Sequence, residues 1–403
     1  MLLLRNSKES SKKQFYMLLA IFIGYTCIYL DKTAIALSMV NIGESLNITA
    51  SQKGLILSSF FLGYTIFQIP YSYLSNRVGT RKVLINSVIA VGIFMILFGF
   101  GTSVLYLVVI RFLSGSLAHA GYPSAVSSFI STEVEDDKKG AVQSSMISSS
   151  GFAGIIGPPV IAILISWYNW KLTYFILGCV LIVVGIYMKF SIPKEAGGPI
   201  KVASNQKQLS FLDVLKDPIV WIMIFASFSI NAGLYGLNSW LPSFLNQEFH
   251  LSMSMLSLIT VLMGVGTMAA GMLGGIIINK FFVGKEKAII FISAVIGACF
   301  VFMVSKTSSV VLSVICLTLC TIFAVIAFST LMSLPVKLFK PYEVSSKYAT
   351  INAIGVSGGF VAPSVIGAMV EATGGYSSAF VFIASMFVCS GVITLLIRMK
   401  KES

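Results

Sequence analysis

The chain has 403 residues, of which 56% are hydrophobic and only 11% charged. A soluble chain carries about 25% charged residues, so the composition excludes an ordinary soluble protein and describes an integral membrane protein. The net charge is +13, but the cations sit in short stretches between apolar segments. No basic face or stacking module suited to nucleic acid is visible.

Residues Met1–Gln14 are polar and basic and lack a small-residue cleavage site. They read as a cytoplasmic leader. Twelve apolar segments follow, each long enough to span a bilayer. They lie at roughly 15–40, 53–74, 83–101, 104–130, 141–166, 172–191, 218–243, 253–279, 287–305, 308–334, 346–370 and 377–397. Lys and Arg gather on one side of these spans and leave only Lys53, Lys171 and Lys306 on the other. That bias predicts a plasma-membrane protein with both termini in the cytoplasm.

The longest polar stretch, Ser191–Asp217, divides the spans six and six. The predicted fold is an all-α membrane protein with twelve transmembrane helices in two pseudo-symmetric bundles. Residues 1–190 and 218–403 form the bundles and 191–217 a cytoplasmic linker. The halves echo each other: Asn76-Arg77 follows the second span and Asn279-Lys280 the eighth, and Gly151-Phe152 in the fifth matches Gly359-Phe360 in the eleventh. A duplicated bundle is a transporter signature, with the substrate site expected between the halves near the midplane.

Asp31, Lys32, Arg111 and His119 are the titratable groups placed well inside the spans, all in the first half. A charge at membrane depth costs at least about 2.5–3.5 kcal/mol. At 1.5 Å per residue, Asp31 and Arg111 fall at similar heights and His119 about 12 Å deeper than Arg111. Lys32 lies about 100° around the helix from Asp31, so the two point apart. Asp31 can neutralise Arg111 or Lys32, either as a static tie between spans one and four or as a proton switch. Arg111, a planar fork, and Lys32, a point charge, are both candidate carboxylate anchors. For His119, a neutral hydrogen-bonded ring and a second protonation site both stay open.

Tyr64, Gln68, Asn231, Tyr235, Asn238 and Asn352 offer polar side chains to a cavity, or equally to neighbouring helices. Gly151, Gly154 and Gly157 with Pro158-Pro159 read as close helix packing. Cys316 and Cys320 have no histidine or carboxylate nearby, so packing is expected there and neither a disulfide nor a metal site. No cofactor is expected. No nucleotide loop or catalytic triad supports an ATP-driven pump or an enzyme.

The stretch Asn76-Arg77-Val78-Gly79-Thr80-Arg81-Lys82 resembles the loop motif after the second span of the major facilitator superfamily, with Asn76 in place of its Asp. Four further stretches resemble that superfamily's anion:cation symporter branch. They are Tyr29-Leu-Asp31-Lys32, Tyr64 through Gln68-Ile-Pro70, Arg111 through Tyr122-Pro123, and Trp240-Leu-Pro242. Lys32 replaces the branch's usual Arg, His119 stands where it has a carboxylate used in proton coupling, and Val356 stands where some sugar-acid carriers have a substrate-binding Asn.

The resemblance implies a monomeric, proton-coupled secondary transporter that takes up a small organic anion from across the lipid bilayer by alternating access. Asp31 and His119 would couple protons. Lys32, Arg111, Tyr64, Gln68, Tyr235, Asn238 and Asn352 would meet substrate. Asn76, Arg77, Asn279 and Lys280 would brace the cytoplasmic ends of the bundles. Two other readings are an exporter of drugs or metabolites by proton antiport and a membrane protein that transports nothing.

Overall fold

The computed structural model describes residues 2–135, 137–198, 211–281 and 284–397. Side chains at 2–13, 72, 76, 141, 147, 272–281, 341, 342 and 345 fall outside the described set. The described residues form fifteen α-helices, one π-helical turn and no strand. The helices are α1 (Leu2–Leu46), α2 (Ala50–Val78), α3 (Thr80–Gly99), α4 (Val104–Leu113), α5 (Tyr122–Glu133), α6 (Lys139–Trp167) and α7 (Trp170–Ser191). A short α8 (Phe211–Val214) precedes α9 (Pro218–Phe249), α10 (Met253–Phe281), α11 (Glu286–Val304), α12 (Val310–Leu338), α13 (Pro341–Gly355), α14 (Gly358–Thr373) and α15 (Ser377–Leu395). The π-helical turn Ser114–His119 joins α4 to α5 within one span. In all, 12 helical segments are long and apolar enough to cross a membrane. They coincide with the twelve predicted segments to within a few residues at most ends.

Helix ends follow local chemistry. The Thr49 hydroxyl accepts from Gln52 N while Gln52 Oε1 accepts from Thr49 N, a reciprocal cap that starts α2. Asn169 caps α7 and Ser309 caps α12. Asp217 accepts from Ile219 N at the start of α9, with Pro218 in the first turn. Asp217 also holds Lys347 at 2.6 Å, and Glu343 holds the same ammonium at 3.2 Å. That satisfies a buried lysine and ties α13 to the start of α9.

The duplication is visible as a shared device. Arg81, in the first turn of α3, donates to Lys189 O at 2.7 Å and Ile192 O at 2.9 Å, where α7 ends. Lys287, in the first turn of α11, donates to Ile397 O at 2.8 Å and Leu395 O at 3.3 Å, where α15 ends. Arg81 to Lys189 and Lys287 to Leu395 each span 108 residues. Both cations supply the terminal carbonyls, which no helical N–H can reach.

Helices α1 to α7 pack chiefly on one another, as do α9 to α15. The two sets meet through α1 with α9, α2 with α13 and α14, and α6 with α10. The α2–α14 seam is tightest near Ala50 and Thr373. A Cβ on Gly54 would lie 2.5 Å from Pro363 O, and one on Gly367 would lie 2.5 Å from Ala50 O. Ser364 Oγ donates to Ser58 Oγ at 2.8 Å, and Glu371 accepts from Ser51 N at 2.8 Å. Helix α2 meets α13 far less than it meets α14.

Candidate functional site

Asp31 lies two-thirds of the way along α1 and is only 1% exposed. Arg111, in the last turn of α4, places Nη1 at 3.0 and 3.2 Å from its two carboxylate oxygens. His119, at the end of the π-helical turn, places Nε2 at 3.0 Å from Asp31 Oδ2. Arg111 and His119 are themselves buried. Regular helix geometry separates the two by about 12 Å, yet both reach one carboxylate. Two features account for the difference. The arginine is long, and the turn between the two residues is π-helical, which shortens the rise and rotates His119. Such turns cluster at functional sites.

Close backbone approach sets this geometry. An added Cβ on Gly115, inside the π-helical turn, would collide with Phe60 O, and one on Gly63 with Phe112 O. The two glycines let α2 and the fourth span touch backbone to backbone. Phe60 is thereby wedged into the charges. Its ring centroid lies 4.6 Å from Arg111 Cζ and 4.8 Å from the His119 ring. Tyr122 anchors the other end of the turn, donating to Ile21 O of α1 at 3.0 Å.

Lys32 faces elsewhere, as the 100° step requires. Its half-buried ammonium has no ion pair among the described residues. It lies 4.5 Å from the Tyr64 ring centroid, 5.1 Å from Tyr29 and 5.7 Å from Phe60. Ring faces return about 0.5–2 kcal/mol to a cation, against at least about 2.5–3.5 kcal/mol for a charge at membrane depth. The rings cover only part of the cost, so the ammonium is left short of a counter-charge.

These three rings belong to the first half, and the cluster they adjoin reaches the second half. Phe60, Tyr64, Ala120 and Val356 form an apolar cluster apart from the main core, joined by Phe61, Phe67, Tyr71 and Tyr235. The Phe61 and Tyr235 centroids are 4.5 Å apart, across the junction of α2 and α9. Phe60, Tyr29 and Phe61 were not predicted from sequence. The spacing of four that puts Phe60, Tyr64 and Gln68 on one helix face was the available signal.

Gln68 is half-buried and its Oε1 has no partner. Asn231 donates back to Ser227 O at 2.8 Å and Asn238 to Leu234 O at 2.8 Å, both within α9. Asn352 is half-buried on α13. Arg77 is exposed, and the side chains of Asn76, Asn279 and Lys280 lie outside the described residues. Trp240 of the Trp-Leu-Pro stretch donates to Pro363 O at 3.1 Å, tying α9 to α14. Gly151 lies against Met268 of α10, a packing role. Among the described residues no cluster of His, Cys, Asp or Glu can hold a metal.

The family model described as the Major Facilitator Superfamily matches residues 21–363. The chain belongs to the Major Facilitator Superfamily. Within it, the chain is 25% identical to the probable sulfoacetate transporter SauU of Cupriavidus necator, over 97% of this chain and 95% of that one. It is 26% identical to a putative tartrate transporter of Agrobacterium vitis, over 94% of this chain and 92% of that one. Its backbone matches a solved bacterial homolog of the human lysosomal transporter Spinster, in an inward-facing, unoccupied conformation. The TM-score is 0.76 over 95% of each chain, at 16% identity, which is a likeness of fold. This facilitator is therefore a secondary transporter by family.

Proposed function

We propose that this facilitator takes up a small organic anion together with protons across the plasma membrane, as a monomer with both termini in the cytoplasm. Residues 1–190 and 218–403 act as two bodies joined by 191–217. They rock about a site at Lys32 to give alternating access. Under that orientation the tight α2–α14 seam is the outer gate, closed.

The observation that carries the reading is the division of labour between two adjacent residues. Asp31 is committed to Arg111 and His119, whereas Lys32 is half-buried against the rings of Tyr29, Phe60 and Tyr64 with no ion pair among the described residues. Lys32 is the substrate anchor. At an effective dielectric of 20, a carboxylate about 4 Å away contributes roughly 4 kcal/mol. Arg111 is buried and its charge is matched by Asp31 through Nη1, with Nε left without a partner, so it is not the first contact. Asp31 with His119 forms the proton-handling pair. A proton arriving at either group changes the charge beside Lys32, and so the affinity for an anion.

Purified protein in liposomes, offered a panel of labelled carboxylates, should accumulate at least one faster under an inward proton gradient. Uptake that ignores both the gradient and Asp31→Asn would refute the coupling. The second reading, export by antiport, draws on the aromatic lining, which suits amphipathic cargo. Faster efflux than uptake under the same gradient would favour it.

A further inference from the structure

The geometry points to a cargo with one carboxylate and a flat apolar body, an aromatic monoacid, rather than a dicarboxylate or a polyhydroxylated sugar acid. The inference rests on the anion-carrier reading above and narrows it.

Charge comes first. A second carboxylate on the cargo needs a second cation. The charge of Arg111 is matched by Asp31, through Nη1 at 3.0 and 3.2 Å, although its Nε has no partner. In the second half, the buried Lys347 is held by Asp217 and Glu343. Lys53, the other buried lysine without an ion pair among the described residues, lies in the first turn of α2 against Gly43. It is seven residues, or about 10 Å along the helix, from Phe60. Among the described residues Lys32 is therefore the one cation at the junction without an ion pair, and one ammonium matches one carboxylate.

Surface chemistry comes second. Each cargo hydroxyl taken out of water needs a partner. Around Lys32 the rings of Tyr29, Phe60 and Tyr64 present faces at 4.5–5.7 Å from Nζ. Phe61 adjoins them on α2, and Tyr235 and Val356 stand across the junction. The amides that could serve hydroxyls from α9, Asn231 and Asn238, donate to their own helix. Three tyrosine edges supply one hydroxyl each, enough to orient a ring but few for a sugar. Aromatic pairs add about two- to tenfold in affinity beyond area burial.

Binding to the purified full-length chain would test this, by competition and by thermal shift with benzoate, phenylacetate, acetate, D-glucuronate and L-tartrate. Benzoate and phenylacetate should bind at least about tenfold tighter than the other three, from stacking and ring burial together. Tyr64→Leu should weaken benzoate several-fold more than it changes acetate, and Tyr64→Phe should keep benzoate near wild type. Should Tyr64→Leu fail to fold, Tyr235→Leu carries the same comparison from across the junction. Tighter glucuronate or tartrate binding that is lost in Lys32→Met would overturn the inference and leave the carrier reading standing. No carboxylate binding at all would defeat the carrier reading itself.

Discussion

Replacing Arg111 by Met leaves Asp31 buried with His119 as its one remaining partner. The lost contacts, at 3.0 and 3.2 Å in a site that is 3% exposed at Arg111, form a buried, two-contact pair. Removing one member of such a pair costs about 3–5 kcal/mol, because the other charge stays buried and unmatched. At the roughly 2 °C per kcal/mol expected of a large domain, the melting temperature should fall by about 6–10 °C in detergent. Asp31→Asn should cost a similar amount by baring Arg111. The double variant removes both charges and should be more stable than either single, with a coupling of about 3 kcal/mol. The sign with pH is also fixed for Arg111→Met. A proton taken up by Asp31 or His119 removes the bare charge, so the folded state binds the extra proton and the deficit should shrink as pH falls. Additive losses in the double variant, or a deficit flat from pH 8 to pH 5, would refute the pairing.

Three other perturbations test the frame around the site. Gly115→Ala should push α2 from the π-helical turn, lowering stability by about 1–3 kcal/mol and transport along with it, read by melting and uptake of the same preparation. Arg81→Ala and Lys287→Ala each bare the same kind of helix end and should lower stability by comparable amounts of about 1 kcal/mol. Cysteines at Ser58 and Ser364, whose hydroxyls are 2.8 Å apart, should cross-link on oxidation and stop transport. Reduction should restore it, and transport that persists with the link intact would contradict a moving seam.

The spans were legible because apolar length is a strong signal and caps such as Thr49 and Asp217 mark their ends. The divergence of Asp31 and Lys32 was legible for the same reason: a helix turns 100° per residue whatever surrounds it. The joint grip of Arg111 and His119 on Asp31 was not, because periodicity assumes an unbroken α-helix and the π-helical turn at Ser114–His119 breaks that assumption. The aromatic lining was half legible. Phe60 lies one helical turn before Tyr64, but an apolar ring in an apolar span looks like any other lipid-facing or core residue. The amides of α9 misled in the opposite sense, since hydrogen bonding back to the helix satisfies Asn231 and Asn238 without any cavity.

The most direct measurement separates binding from coupling in two neighbouring variants, Lys32→Met and Asp31→Asn. The probe is whichever carboxylate the liposome panel shows to be transported fastest. Lys32→Met should keep its fold, since no ion pair is lost, yet show no thermal shift with that carboxylate at any pH. Asp31→Asn should still bind it while uptake loses its response to the proton gradient. If both variants lose binding and gradient response together, the two residues act as one unit and the division of labour is wrong.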